Sequence, residues 1–256
     1  MNIQEYNSAA WDREAERGIE WSIPVNSETI ENARNGVWEI VLTPIKPVPR
    51  EWFGDIHGKD VLCLASGGGQ QAPILAAAGG RVTSFDNSAK QLELDRMVAE
   101  RDDLKICLEK GDAADLSRFT DASFDLIFHP VSNCFMPDLE FVWHEAFRVL
   151  RRGGAMLSGF HNSFFFIFDR AADEDEGVLR VKYRLPYSDL ESLSEEERLR
   201  YKDEPLSFGH TLEQQIGGQI AAGFVINGFY EDYWSDAATA LNKYAPTFIA
   251  TKAIKL

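Results

Sequence analysis

The sequence of 256 residues lacks any apolar run that approaches the length of a membrane span. The longest such run, residues 164–168 with the sequence FFFIF, is short beside the roughly 20 residues that a bilayer crossing needs. The first residues, MNIQEYNSAAWDRE, are polar and acidic, which does not fit a secretory signal peptide. From these two absences we expect a soluble, cytoplasmic protein.

Basic residues and cysteines are also scarce. The chain carries 26 Lys and Arg against 41 Asp and Glu, so its formal net charge is −15. Such a surface repels phosphodiester backbones and anionic lipids over about 8–10 Å at physiological salt, which argues against nucleic-acid and membrane partners. The three cysteines, Cys63, Cys107 and Cys134, form no CxxC pair. We therefore expect neither a disulfide framework nor a metal site.

From residue 60 onward, short apolar runs alternate with amphipathic stretches, which is typical of a parallel sheet flanked by helices. The spacing predicts strands over 61–65, 81–85, 105–109, 124–128, 155–160, 224–230 and 247–254, and helices over 70–78, 88–101, 139–150 and 211–222. Residues 151–154, with the sequence RRGG, are expected to end the third of these helices.

Two segments fall outside this rhythm. Residues 1–59 are rich in aromatic side chains and contain three prolines between positions 44 and 49, so we interpret them as an N-terminal arm or lid. Residues 164–210 are acidic and lack a strand pattern, and we expect them to form a cap-like insertion over the carboxyl edge of the sheet. The insertion would then belong to a single domain over residues 60–256.

The predicted strand at 61–65 runs directly into a glycine turn, residues 66–69 with the sequence SGGG. Glycine removes the Cβ that would keep a ligand away from the backbone, and the following helix presents free N–H groups. Asp86 ends the next strand and can accept hydrogen bonds from two ribose hydroxyls. Asp112, at the end of the third strand, can accept one from an adenine amino group. Together these features predict an adenosine-containing ligand at the carboxyl edge of the sheet.

Five segments extend this pattern: VLCLASGGGQQ (61–71), VTSFDNSAKQLELDR (82–96), GDAADL (111–116), SFDLIFHPVSNCF (123–135) and EAFRVLRRGGAML (145–157). In these segments the chain resembles the class I S-adenosylmethionine-dependent methyltransferases, in particular the type 11 small-molecule group. The resemblance implies a Rossmann-like doubly wound α/β fold, with helices on both faces of a seven-stranded, mostly parallel sheet whose last strand is antiparallel. It also implies S-adenosyl-L-methionine as the cofactor and methyl transfer to a small-molecule acceptor by in-line displacement.

Carried over by position, the resemblance also implies cofactor contacts. The methionine part would meet Ala65, Gly67 and Gly69, the ribose Asp86 and Asn87, and the adenine Asp112 and Ala113. Two positions depart from the family pattern, since Cys63 stands where an acidic residue is usual and Ala65 where a glycine is usual. The amino end of the cofactor must therefore be met by another group, such as a backbone carbonyl or a residue of the arm.

Three polar residues near the expected position of the methyl group are candidates for catalysis. His129 ends the predicted fourth strand and His161 the fifth, so either imidazole can orient or deprotonate the acceptor. His129 can instead pack beneath the adenine as part of the cofactor site. Asn133 can position the acceptor or cap a turn.

The acceptor pocket carries no motif that identifies the acceptor. Trp11 and Trp38 of the arm can wall the pocket or pack the arm against the sheet, and His210 can line it or cap the helix that follows. Three other functions remain open from the sequence alone: a tRNA-nucleoside methyltransferase, which the net charge counts against; a nicotinamide-dependent oxidoreductase; and a non-catalytic S-adenosylmethionine binder, which the changes at Cys63 and Ala65 suggest.

Overall fold

The computed structural model describes residues 1–235 and 237–256. Its helices are α1 (Ile3–Arg17), α2 (Ser27–Arg34), α3 (Arg50–Phe53), α4 (Gln71–Ala77), α5 (Ala89–Arg101), α6 (Glu140–Val149), α7 (Arg170–Glu176), α8 (Asp189–Ser192), α9 (Glu195–Arg200) and α10 (Gly218–Ala221). Short 3-10 helices occur at Glu20–Ser22, Asn133–Phe135, Ser163–Ile167 and Ala240–Lys243, and a π-helix at Glu213–Gly217 leads into α10.

The strands are β1 (Asp60–Leu64), β2 (Arg81–Asp86), β3 (Ile106–Lys110), β4 (Phe124–His129), β5 (Leu150–His161), β6 (Tyr187–Ser188), β7 (Phe208–Gly209), β8 (Val225–Asp232) and β9 (Phe248–Ile254). Seven of them form one sheet in the order β3-β2-β1-β4-β5-β9-β8. The first five are parallel, and β9 runs antiparallel to both of its neighbours. The predicted doubly wound α/β sheet with an antiparallel last strand is therefore confirmed.

The fifth strand begins earlier than the sequence pattern predicts. α6 ends at Val149, and Leu150 already pairs with Phe124 of β4. Residues 151–154 therefore belong to β5, and the prediction that they end the helix is wrong. The physical reason is that Gly153, with φ 79°, lets the strand kink there while the ladder continues beyond it.

Two apolar clusters cover the two faces of the sheet. On one face, Ile30, Trp38 and Trp52 of the first 59 residues are buried in the same cluster as Val61 of β1. The backbone at Leu42 passes so close to β5 that a Cβ at position 159 would lie 2.2 Å from its carbonyl oxygen, which only Gly159 permits. Much of the N-terminal segment is thus part of the sheet's own core.

Residues 164–210 form a small unit with contacts of its own. Tyr187, Leu193 and Tyr201 are buried together, and β6 pairs with β7. Within this unit, Arg170 forms ion pairs with Glu174 at 2.6 Å and with Glu204 at 2.7 Å. None of the helices in the described part of the chain is long and apolar enough to cross a membrane.

Candidate active site

A cavity of about 320 Å³ opens at the carboxyl edge of the sheet. Its walls come from the turns after β1, β2, β3 and β4, the ends of β5 and β9, and the N-terminal segment. Eight of the residues singled out from the sequence line it: Ala65, Gly67, Asp86, Asn87, Asp112, Ala113, Trp11 and His161. The structure thus brings most of the predicted cofactor positions together, and their individual roles stay predictions.

Asp86 joins the glycine turn to the end of β2. Its Oδ2 accepts the Gly67 N–H at 2.9 Å, and its Oδ1 accepts the Ser88 N–H at 2.8 Å. Burial raises the pKa of Asp86, and the N–H donors partly oppose that rise. Since each carboxylate oxygen has two lone pairs, both can still accept a further hydrogen bond from a ligand.

The three glycines of the turn each lie close to a different neighbour. A Cβ on Gly67 would lie 2.8 Å from the Cβ of Gln91 on α5. Gly68 has φ 129° and Gly69 has φ 73°, and a Cβ on them would lie 2.7 Å from the Trp21 carbonyl oxygen and 2.8 Å from Pro24, respectively. Gly69 therefore faces the N-terminal segment and does not line the cavity, unlike the placement expected from the sequence.

A buried carboxylate that the sequence analysis missed holds the turn from its other side. Asp95 of α5 is fully buried, and it accepts the Gly69 N–H at 2.7 Å and the Ser84 hydroxyl at 2.6 Å. Burial raises its pKa to about 7. Its spacing of three residues from Leu92 and from Val98, both buried on α5, could have shown that it faces the sheet.

Gln91 is a second residue that the sequence analysis missed. It lines the cavity, its amide nitrogen donates to the Ser22 hydroxyl at 2.7 Å, and its Oε1 is buried with no partner. Cys63, where the family pattern has an acid, is fully buried, and burial raises the pKa of its thiol well above the usual value. Cys63 therefore supplies no negative charge, whereas Gln91 Oε1 offers a free hydrogen-bond acceptor.

His129 lies beneath the cavity and does not line it. Its ring is fully buried, with Nδ1 2.9 Å from the Leu64 carbonyl oxygen and Nε2 2.6 Å from Asn133 Oδ1. Burial lowers its pKa. Because both ring nitrogens already have partners, His129 as placed here links β1 to the turn after β4 and reaches neither a ligand nor an acceptor in the cavity.

Asn133 and His210 lie in the same buried network. The Asn133 amide donates to Gln215 Oε1 at 2.8 Å, and His210 Nε2 lies 2.9 Å from the Met136 carbonyl oxygen. Burial lowers the pKa of His210. Neither side chain lines the cavity, so both residues predicted to contact the acceptor lie among the buried side chains outside it.

Of the two tryptophans predicted from the sequence to line the acceptor pocket, only one lies at the cavity. Trp38 is buried in the core, where the Arg50 guanidinium carbon lies 3.3 Å from its ring centroid and Phe53 meets its edge at 5.0 Å. Trp11 lines the cavity and packs edge-on against Phe135 at 4.9 Å. Trp38 therefore lies outside the cavity because its ring fills the core between the N-terminal segment and the sheet.

His161, at the end of β5, closes the other end of the cavity. Four aromatic rings, those of Phe165, Phe166, Trp234 and Phe248, lie 4.5–5.9 Å from its ring. The residue is 9% exposed, and its Nδ1 is buried without a hydrogen-bond partner. Burial lowers the pKa of His161 to about 3, so the ring is neutral at physiological pH.

Helix α1 covers the opening. Ser8 donates to the Asn87 carbonyl oxygen at 2.8 Å, Asp12 accepts the Ser88 hydroxyl at 2.6 Å, and Asn7 donates to the Phe135 carbonyl oxygen at 2.9 Å. The helix therefore bridges the turns after β2 and β4. In the described residues, no group of three or more His, Cys, Asp or Glu side chains is arranged to hold a metal ion.

Comparison with known proteins matches residues 62–158 to the family described as "Methyltransferase domain". The chain is 51% identical over 253 residues to an uncharacterized methyltransferase, YbaJ, of Bacillus subtilis (strain 168), with 98% of each chain covered. Over 105 residues, 40% of this chain, it is 36% identical to the sterol 24-C-methyltransferase erg6 of Aspergillus fumigatus and to the 27-O-demethylrifamycin SV methyltransferase of Amycolatopsis mediterranei, covering 28% and 38% of those proteins.

Among solved structures, the fold resembles an S-adenosylmethionine-dependent methyltransferase from Mesorhizobium loti. The TM-score is 0.62 at 18% identity, with 80% of this chain and 94% of that chain covered. At this level of identity, the likeness shows a shared fold.

Proposed function

Because this chain belongs to the class I S-adenosylmethionine-dependent methyltransferases, we propose that it transfers the methyl group of its cofactor to a small-molecule acceptor. The observation that carries the proposal is the charge of the cavity. Its described lining contains Asp86, Asp112 and Asp138 but no lysine or arginine. A nucleic-acid acceptor needs basic side chains to neutralise its phosphates, and the net charge of −15 points the same way.

The residues of the cavity fit the cofactor. We assign the ribose hydroxyls to Asp86 and Asn87, the adenine to Asp112 and Ala113, and the methionine part to Ala65 and Gly67. The unpartnered Gln91 Oε1 can accept a hydrogen bond from the cofactor's ammonium group. Cys63 cannot take this role, because burial keeps its thiol uncharged. The acidic side chains of Asp86 and Asp112 in the cavity wall also attract a cationic ligand.

The cofactor supplies an activated methyl group, and the chain supplies alignment and shielding from water. The acidic turns after β2 and β3 form one end of the cavity, and α1, which carries Trp11, covers the cavity opening. Covering the cavity keeps water from competing with the acceptor for the methyl group. Membership of a methyltransferase family sets aside the nicotinamide-dependent oxidoreductase considered from sequence alone.

The acceptor class can be tested with S-adenosylmethionine that carries a radiolabelled methyl group. Each reaction contains purified protein, this compound and one of three fractions of a bacterial extract: small molecules, RNA or protein. We expect enzyme-dependent label in the small-molecule fraction. Label that accumulates in RNA or protein instead would contradict the proposal, and reactions without enzyme give the background for each fraction.

A further inference from the structure

We propose that the acceptor is an uncharged, largely apolar aromatic compound whose hydroxyl group hydrogen-bonds to His161 and receives the methyl group. This inference rests on the proposed small-molecule methyl transfer and names the acceptor class for the same cavity. It depends on the polarity of the cavity wall, on the absence of a countercharge in the described lining, and on the unpartnered nitrogen of His161.

The cavity has an acidic half and an apolar half. Asp86 and Asp112 follow β2 and β3, on one side of the sheet order. The apolar half lies at the carboxyl ends of β4 and β5 and beside the first residue of β9. Its wall of uncharged side chains includes Leu42, Pro44, Val131, Ser132, Trp234 and Phe248. Neighbouring strands lie about 4.8 Å apart, so three strand spacings, about 14 Å, separate β2 from β5. An acceptor in the apolar half is therefore well away from Asp86 and Asp112, and the third carboxylate of the lining, Asp138 in the segment after β4, is exposed to solvent.

The apolar half excludes an anionic acceptor. Burying a carboxylate or a phosphate without a partner is costly, and proteins that bind such groups supply arginine, lysine or clustered N–H donors. The described lining has no lysine or arginine, and burial lowers the pKa of its histidine, His161, to about 3, so this ring carries no positive charge near neutral pH. An uncharged aromatic compound instead matches the tryptophan and phenylalanine rings that surround His161.

His161 selects a hydroxyl group. Its Nδ1 is buried without a partner, and a polar atom left in this state costs free energy until a ligand satisfies it. A hydroxyl can both donate and accept a hydrogen bond, so it suits this nitrogen in either tautomer of the neutral ring. His161 also lies on the strand next to β4, where the transferred methyl group is expected.

The chemical step is balanced without a further reactant. The acceptor oxygen forms a bond to the methyl carbon while the bond from that carbon to the cofactor's sulfur breaks, and its electron pair stays on sulfur. The hydroxyl proton passes to Nδ1 of His161 in the tautomer that carries its own proton on Nε2, and the imidazolium then releases a proton to water. A weakly basic ring is sufficient because the hydroxyl becomes strongly acidic as its oxygen gains the methyl group.

The test uses wild-type protein saturated with S-adenosylhomocysteine and three naphthalenes of similar size: 2-naphthol, 2-naphthoate and 2-methylnaphthalene. We expect 2-naphthol to bind at least ten times more tightly than 2-naphthoate by calorimetry. One hydrogen bond makes it about three- to tenfold tighter than 2-methylnaphthalene. With S-adenosylmethionine, mass spectrometry should detect 2-methoxynaphthalene. Equal or tighter binding of 2-naphthoate, or no binding of 2-naphthol, would overturn the proposal.

Two variants separate the hydrogen bond from packing. His161→Phe removes the nitrogen and keeps an aromatic ring, and it should abolish the preference for 2-naphthol over 2-methylnaphthalene. His161→Asn keeps a polar atom near the position of Nδ1 and should retain part of that preference. If both variants keep the wild-type preference, the assignment to His161 is wrong.

The affinity for S-adenosylhomocysteine distinguishes the two levels of inference and reports folding. We expect it to stay within about twofold of wild type in both variants, because His161 lies in the apolar half. If wild-type protein failed to bind S-adenosylhomocysteine, the proposed function would fail. If it bound but did not prefer 2-naphthol, only the acceptor class would fail.

Discussion

At the scale of single residues, two carboxylates hold the glycine turn from opposite sides. Asp86 takes the N–H of Gly67 and faces the cavity, whereas Asp95 takes the N–H of Gly69 beneath it. The consequence is that Asp86 is available to a ligand, whereas Asp95 binds only groups of the protein itself, the Gly69 N–H and the Ser84 hydroxyl. Substituting them should therefore change different properties of the protein.

We expect Asp86→Ala to abolish measurable cofactor binding. Two hydrogen bonds from ribose hydroxyls to a charged acceptor contribute about 1.5–3 kcal/mol each, so their loss weakens binding at least about a hundredfold. Calorimetric titration with S-adenosylhomocysteine measures this, and circular dichroism checks the fold.

The matched control for this loss is Asp103→Asn. Asp103 is exposed between α5 and β3, at the opposite edge of the sheet, and asparagine tolerates its φ of 50°. This control should bind like wild type. Wild-type affinity in Asp86→Ala would refute the ribose assignment.

Asp95→Asn should stabilise the protein at high pH and leave it nearly unchanged at low pH. The pKa of Asp95 is raised to about 7 in the fold, above the ordinary aspartate value of 3.8. Its protonated form therefore contributes stability that is complete below about pH 4 and is lost as the pH rises through about 7. At pH 8.5 the ionised group costs about 4 kcal/mol, because the folded and unfolded pKa values differ by about 3, and this corresponds to roughly 8–16 °C in Tm for a chain of this size.

Thermal unfolding of wild type and Asp95→Asn at pH 4 and pH 8.5 measures this effect. Glu100→Gln serves as the control, because Glu100 is exposed on the same helix. A difference in Tm between wild type and Asp95→Asn that is the same at both pH values would show that Asp95 does not titrate as described.

At the scale of elements, α1 is built to cover the site. Asn2 caps its first turn, accepting the Glu5 N–H, and Gly18 ends it in the left-handed region at φ 66°. Its buried face consists of Asn7, Ser8 and Ala10, and two of these are polar. A helix that buries polar side chains must pair them with hydrogen-bonding groups on its neighbours, here the carbonyl oxygens of the turns after β2 and β4.

Loosening α1 should accelerate cofactor release. Asn7 donates to the Phe135 carbonyl oxygen and accepts the Leu206 N–H at 2.8 Å, so Asn7→Ala leaves buried backbone groups without partners. We expect S-adenosylhomocysteine to dissociate about ten times faster, measured by stopped-flow tryptophan fluorescence. Arg17→Ala is the control on the same helix, because Arg17 pairs with Glu14 within α1. Unchanged dissociation from Asn7→Ala would mean that α1 does not retain the cofactor.

Element positions agree closely between sequence and structure. Every predicted strand except the fifth lies within two residues of its observed bounds, because most of them are short apolar runs closed by a glycine, a proline or an acidic residue. The start of β5 was mispredicted, since Arg-Arg-Gly-Gly reads locally as a helix end. Only the pairing of Leu150 with β4 shows that the strand has already begun.

At the scale of the whole molecule, the cavity depends on contacts between distant parts of the chain. Asp232 at the end of β8 accepts the Thr43 hydroxyl at 2.8 Å and the Lys46 N–H at 2.8 Å. These bonds hold the stretch around Leu42 and Pro44 against the carboxyl edge of the sheet. The apolar half of the cavity therefore combines the N-terminal segment with residues more than 180 positions later.

Local sequence patterns were enough to predict the strands of the main sheet, the glycine turn and the acidic residues at the strand ends, because these follow from apolar spacing and backbone chemistry. Tertiary structure decided which side chains reach the cavity. Trp11 and Trp38 have the same chemistry, as do His129 and His161, yet one of each pair lines the cavity and the other is packed away from it. That choice depends on how the N-terminal segment and the strand ends pack, and packing between distant residues leaves no local pattern in the sequence.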